Sequence, residues 1–200
     1  MLDVGYAFAE PAYLAGLLAL RVPELVGVDL ARAEVPGLEG VQADLRSLPF
    51  RDGEFGLAFA ISTIEHVGLD NTQYGLGRES DGDSLDAALR ELRRVTERLL
   101  VTVPTGEGEL RPEQAVFRPD EWVQRFERAG FVVFEDELYE LTEAGWRSVP
   151  RLSPGLHYGD RGPGASAVLC AELRPRSVGE RLRLALRDRR YSGDTRRVTG

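Results

Sequence analysis

The chain has 200 residues, 42% hydrophobic and 29% charged, enough to bury one core and make a single globular domain. Its formal net charge of −8 argues against a body that grips nucleic acid, which needs a basic face. One cysteine, Cys170, excludes an internal disulfide and a cysteine-based zinc cluster; no apolar run is long enough to span a bilayer and no signal segment opens the sequence, so a cytoplasmic protein is expected.

Short apolar runs alternate with helical patterns from beginning to end, which predicts an α/β fold with a parallel sheet and helices on both faces. Residues 1–4 read as the end of a first strand and 11–20 as a helix opened by Pro11. Residues 25–29 form a second strand and 40–43 a short third, followed by a polar loop ending in Arg51-Asp52-Gly53. Residues 55–61 are nearly all apolar, as a strand buried on both faces requires. A helix over 84–99 carries Leu85, Leu89, Leu92 and Val95 on one stripe, with Asp83 and Asp86 at its N-terminal cap.

A fifth strand over 99–103 stops at Pro104, a helix over 119–129 ends at Gly130, and 131–134 opens a sixth strand. Trp122 reads as a packing residue of that helix. A seventh strand, 165–173, holds Cys170, expected as a buried small hydrophobe. Between the last two strands, 145–164 is rich in Pro and Gly and reads as a long functional loop. From Arg174 onward, nine arginines stand against Glu180, Asp188 and Asp194, so a domain of 1–174 is followed by an arginine-rich helix and tail, 175–200. All 25 basic residues are arginine, and the absent lysine removes the commonest hydride-transfer site of a nicotinamide dehydrogenase.

In such a sheet a nucleotide-like cofactor sits at the carboxyl ends of the central strands, so the residues just past each strand are informative. The first end reads Asp3-Val4-Gly5-Tyr6-Ala7-Phe8-Ala9, with small residues that let a turn pass close to a ligand. Asp29, followed by Leu30, ends the second strand about 20 residues beyond that turn, where a carboxylate grips a ribose diol. Asp44 suits an adenine amino group with Leu45 packed on the ring, although an ordinary capping role also fits Asp44. Past the fourth strand, Ile61 and Ser62 line the far part of such a ligand and His66 faces the reacting centre.

These strand ends together resemble the class I, Rossmann-like S-adenosylmethionine-dependent methyltransferases over roughly residues 1–173. The family's first motif is Asp-x-Gly-x-Gly-x-Gly; Asp3 and Gly5 match it, while Ala7 and Ala9 stand at the second and third glycine, where a positive φ is costly. Gly56 replaces the family's usual Asp, whereas Leu48-Pro49-Phe50 and Arg93-Arg94-Val95 match. The resemblance implies a seven-stranded, mostly parallel sheet, S-adenosylmethionine as cofactor, and methyl transfer to a small-molecule acceptor, at oxygen. His66 is then the candidate base, tuned by Glu65 or Asp70, with Glu65, Asp70, Asn71 and Tyr74 as a substrate patch; a bracing role for Glu65 and His66 stays open.

Trp146, in the long loop where family members build the acceptor pocket, is a further candidate. His66, Asp70 and Asn71 lack a second acidic cluster, so no metal is expected. The wording Ile61-Ser62-Thr63-Ile64-Glu65-His66, then Gly68-Leu69-Asp70-Asn71-Thr72 and Tyr74-Gly75, is similar to methyltransferase-like proteins found among sugar and polysaccharide biosynthesis genes, implying a sugar-type acceptor. The sequence begins inside the first strand, so the family's N-terminal helical cover is expected to be lacking and the cleft to be closed by a second copy, a homodimer, or by residues 68–83, or else to stay exposed with poor catalysis. A catalytically inactive module of this fold, acting through protein–protein contacts, is the other reading.

Overall fold

The computed structural model describes residues 1–77 and 83–176, and the arginine-rich tail expected over 175–200 lies outside them from residue 177 on. The parallel half of the sheet holds β1 (Leu2–Val4), β2 (Val26–Asp29), β3 (Glu39–Gln42), β4 (Ala58–Ile61) and β5 (Leu99–Pro104). Its helices are α1 (Pro11–Ala19) after β1 and α2 (Ser84–Val95) after β4. The rest comprises the short strands β6 (Glu109–Leu110) and β7 (Ala115–Val116), then α3 (Pro119–Arg128), β8 (Phe131–Thr142), β9 (Gly145–Val149) and β10 (Ala167–Pro175).

Eight strands form the main sheet in the order β3-β2-β1-β4-β5-β10-β8-β9. β10 runs antiparallel to both β5 and β8, so the expected α/β class holds with one strand more than the seven expected. The extra strand is β9, at the start of the expected long loop. β8 runs on to Thr142, whose hydroxyl donates to Gly145 O at 2.8 Å and closes a hairpin, so 145–149 pairs with 138–142. The fourth strand is shorter than expected, because Phe55 only bridges Thr96. α2 stops at Val95, where Thr96 turns extended (φ −128°, ψ 147°). Asp83 makes no capping bond at its side chain, and Asp86 instead accepts from Arg125 of α3 at 3.0 Å.

From β1 the chain moves through α1 to β2 on one side, whereas β4 moves through α2 to β5 on the other. Right-handed crossovers therefore put α1 and α2 on opposite faces and leave a crevice where the order reverses. The α2 face is dry: Leu85, Leu89, Leu92 and Val95, with Trp122 and Phe126 of α3, bury against Leu2, Val4, Val101 and Leu169. Trp122 packs there as expected, its indole N–H donating to Pro104 O at 2.9 Å. On the opposite face, Phe59, Leu100, Thr102 and Cys170 occupy successive paired positions and stay half-buried. Cys170 is thus less buried than expected because it alternates onto this second face. No helix of the described residues is long and apolar enough to cross a membrane.

Over β2 and β3 the second face is filled by Tyr6, which is fully buried. A Cβ on Gly27 would come within 2.5 Å of Leu38 Cδ2 and 2.7 Å of the Tyr6 ring, and one on Gly40 within 2.4 Å of the Tyr6 hydroxyl. That hydroxyl donates to Ala33 O at 3.1 Å and accepts from Ala33 N–H at 3.3 Å, tying the β2–β3 connection to the turn after β1. Gly27→Ala is expected to cost about 1–3 kcal/mol by overpacking, seen as a fall of several degrees in Tm, and to cost less in a Tyr6→Ala background. Equal losses in the two backgrounds show that Leu38, not the Tyr6 ring, is what limits position 27.

Candidate functional site

A cleft of about 380 Å³ opens outside the carboxyl ends of β1, β2 and β4. Its floor is set by the turn after β1. Gly5 takes φ 88°, ψ 29°, a left-handed conformation that L side chains rarely adopt, and its N–H donates to Val28 O at 2.9 Å. A Cβ there would stand 2.4 Å from Thr63 Oγ1, which lies 3.0 Å from both Val4 O and Ile61 O. The chain continues as a 3-10 turn, Tyr6–Phe8, and leaves extended at Ala9 (φ −68°, ψ 147°). Neither Ala7 nor Ala9 has a positive φ, so the missing glycines introduce no backbone strain.

Ala7 N–H donates to Asp29 Oδ2 and Ala31 N–H to Asp29 Oδ1, each at 3.0 Å, which fixes this carboxylate on the cleft wall at the end of β2. Burial pushes its pKa up, against the pull of the backbone N–H bonds. Asp3 is not on the wall but just behind the turn, 1% exposed. Tyr13 of α1 donates its hydroxyl to Asp3 Oδ1 at 2.5 Å, while Oδ2 has no partner. Burial, with repulsion from Asp29 and against the Tyr13 hydrogen bond, pushes Asp3 up to about 6.

Asp44 and Leu45 both line the cleft, but the Asp44 carboxylate is gripped by its own neighbour. Arg46 Nε sits 3.0 Å from each oxygen and its backbone N–H donates at 2.8 Å, which holds the Asp44 pKa below its usual value. Leu30, 42% exposed, offers an apolar surface beside Asp29. Ile61 and Ser62 also line the cleft, and Ser62 has the unusual φ of 49° at the end of β4. Its N–H is held by Thr102 O and Oγ1, both at 3.1 Å.

His66 faces the same cleft from a 3-10 turn, Ile64–His66. Its Nδ1 is 2.6 Å from Glu113 O, and since a carbonyl can only accept, Nδ1 carries the proton and Nε2 is left as the acceptor. Burial lowers the His66 pKa, more than the Glu113 carbonyl raises it, so the ring is neutral at pH 7. Asn71 and Tyr74 reach the wall, and together with Gly68, Leu76 and Gly77 they line its His66 side, so residues 68–77 supply part of its cover from within the chain.

Three expected substrate residues do not line the cleft. The Asp70 carboxylate turns to Thr72, accepting from its N–H at 3.1 Å and its hydroxyl at 2.6 Å. Trp146 belongs to β9, at the far edge of the sheet, because its segment pairs with β8 rather than looping back. Glu65 points into the interior. Phe8, Tyr13, Thr63 and Arg46, which sequence reasoning passed over, are on the wall. The signal for Arg46 was its place two residues after Asp44; Thr63 and Tyr13 act through partners distant in sequence, which no local pattern marks.

Residues 2–98 match the family model of a methyltransferase domain. No curated protein sequence matches the chain. Among solved structures it is similar to Burkholderia thailandensis 1,6-didemethyltoxoflavin-N1-methyltransferase, bound to its substrate and S-adenosylhomocysteine. That match has 14% identity and a TM-score of 0.55, and covers 88% of this chain and 70% of that one. A Methanosarcina mazei SAM-dependent methyltransferase matches at 14% identity and TM-score 0.57, covering 87% and 91%. The [4+2]-cyclase SpnF matches at 16% identity and TM-score 0.56, covering 88% and 74%. The sheet expected from the sequence is therefore the sheet these proteins share.

Glu65 is 3% exposed, its Oε2 has no partner, and burial pushes its pKa up to about 8. A carboxyl raised from 4.5 in the unfolded chain holds its proton more tightly when folded, so its contribution to stability falls as pH rises from about 4.5 to about 8. Glu65→Gln is expected to melt close to wild type at pH 5 and about several degrees above it at pH 9. A difference that does not change between those pH values contradicts the buried, protonated Glu65.

Proposed function

We propose that this chain, which has the class I methyltransferase fold and a methyltransferase domain over residues 2–98, binds S-adenosylmethionine in the cleft at β1, β2 and β4 and methylates a small molecule at oxygen. The observation that carries this reading is the Gly5 turn, which delivers Ala7 N–H to the Asp29 carboxylate at the point where the strand order reverses. The residues fit the cofactor. Asp29 presents fixed carboxylate oxygens for a ribose diol, and Leu30 and Leu45 give apolar surface for a purine; Asp3, buried behind the turn, braces it through Tyr13 and does not face the ligand. Asp44, held by Arg46, serves more to fix the loop around Leu45 than to offer free lone pairs.

Bound there, the cofactor supplies an electrophilic methyl group and keeps the electron pair of the broken carbon–sulfur bond. His66 Nε2 accepts the proton of the acceptor hydroxyl as its oxygen bonds the methyl carbon, and Glu113 O, holding Nδ1–H, keeps the ring in the tautomer that can do so. The strap of residues 68–77 excludes water on the His66 side. The fold alone does not dictate this chemistry, since a [4+2]-cyclase shares it; the placement of Asp29 and His66 on one cleft favours methyl transfer.

Calorimetry with S-adenosylhomocysteine tests the reading. Wild type is expected to bind, and Asp29→Ala and Asp29→Asn to bind at least about tenfold more weakly, the scale of a lost charge-assisted hydrogen bond. His66→Ala is expected to retain binding within about threefold and to lose methyl transfer. No heat and no rise in Tm at millimolar ligand favours the inactive, protein-binding module instead.

A further inference from the structure

The His66 side of the cleft is built from rings. Phe8 is 50% exposed, with no core to serve, and its ring centroid lies 4.8 Å from that of Tyr74. Tyr74 in turn meets the His66 ring edge-on at 5.8 Å. The strap that carries Tyr74 is fixed: the Asn71 amide donates to His66 O at 3.0 Å and Leu69 O at 3.1 Å, Leu76 N–H donates to Asn71 O at 3.2 Å, and Asp70 N–H to Pro112 O at 2.8 Å. A large apolar side chain left half in water beside a fixed aromatic partner, inside a cleft, marks a surface that a ligand covers.

We propose that the methyl acceptor is an uncharged, planar aromatic compound with a ring hydroxyl, seated against the Phe8–Tyr74 wall with that hydroxyl at His66 Nε2. This rests on the methyltransferase reading above and names the substrate class of the same site. Charge and hydrogen-bond capacity both favour it. Among the described residues the wall carries Glu10, Asp29 and Asp44 against Arg46, and Arg46 is engaged by Asp44 and by Ser84 Oγ at 3.0 Å. An anionic acceptor such as a sugar phosphate meets net repulsion there.

A neutral sugar, the class implied by the local sequence resemblance, exchanges many bonds to water for few to protein. The Asn71 amide, the Tyr13 hydroxyl and the Thr63 hydroxyl are all committed to partners within the chain. Proton transfer points the same way. A histidine held below its usual pKa is a weak base; it matches a phenol, with a pKa of about 10, far better than an aliphatic hydroxyl, which is nearly as weak an acid as water.

The test uses the full chain saturated with S-adenosylhomocysteine, with 2-naphthol as probe followed by its fluorescence, and methyl β-glucoside and glucose 1-phosphate as competitors. Saturable naphthol binding is expected, weakened about tenfold in both Phe8→Ala and Tyr74→Ala, with neither sugar displacing it. Phe8→Leu, which keeps the apolar surface without the ring and guards against misfolding, is expected to lose most of the same affinity. The loss of naphthol affinity is expected to exceed any loss of S-adenosylhomocysteine affinity in each variant. Displacement by either sugar, or naphthol binding indifferent to all three variants, overturns the aromatic acceptor. Failure of naphthol to bind a protein that calorimetry shows loaded overturns it too, while leaving the cofactor reading intact; failure of the loading itself overturns that reading first.

Discussion

The site depends on one backbone conformation. Gly5 at φ 88° lets the chain leave β1, pass under Thr63 and return its Ala7 N–H to the end of β2. Any side chain at position 5 meets two costs together, a conformation L residues rarely adopt and a collision with Thr63 at 2.4 Å. Thr63 in turn lies within hydrogen-bond distance of Val4 O, so the ends of β1 and β4 are joined side chain to backbone across the point where the strand order reverses. Three strand ends are thereby fixed by one turn, and the cleft takes its shape from their relative positions.

Stability and function are divided between the two faces of the sheet. The face under α2 and α3 is a dry core of Leu, Val and Phe with Trp122, and it fixes the strands. The other face carries α1 by the handedness of the β1–α1–β2 crossover and, over β2 and β3, the buried ring of Tyr6, the residue after Gly5. The turn that forms the cleft floor thus also supplies the packing that holds β2 and β3 beside it. Beyond β1 toward β4, β5 and β10, that face leaves Phe59, Leu100 and Cys170 half-buried.

Much of this was legible in the sequence because period and position suffice to read it. The stripe Leu85, Leu89, Leu92 and Val95 gave α2, and an acid ending a short apolar run gave Asp29. The failures have two causes, strand pairing that no local pattern marks and 3-10 turns that the helix and strand periods do not reveal. The alternation in 145–149 was masked by the Pro- and Gly-rich stretch after it, so Trp146 was assigned to a loop when pairing with β8 makes it a strand residue. Ala7 and Ala9 looked like lost glycines because the family pattern suggests positive φ, whereas a 3-10 turn passes through Ala7 without it. Glu65 and His66 looked like one functional pair because they are adjacent. In a 3-10 helix neighbours are about 120° apart, so a turn that aims His66 into the cleft sends Glu65 into the core.

The cleft's electrostatics follow from the same geometry. Asp3 and Asp29 are drawn to neighbouring strand ends and buried, and each has its pKa raised, Asp3 partly by the charge of Asp29. Two carboxylates that repel each other in an apolar setting are a cost to the empty protein, and hydrogen bonds from Tyr13, Ala7 and Ala31 offset only part of it. A cation relieves what those bonds leave. Asp44, the third acid, already has its cation in Arg46 and is lowered rather than raised. The unmet demand for positive charge is thus concentrated between β1 and β2, while the His66 side is aromatic and neutral.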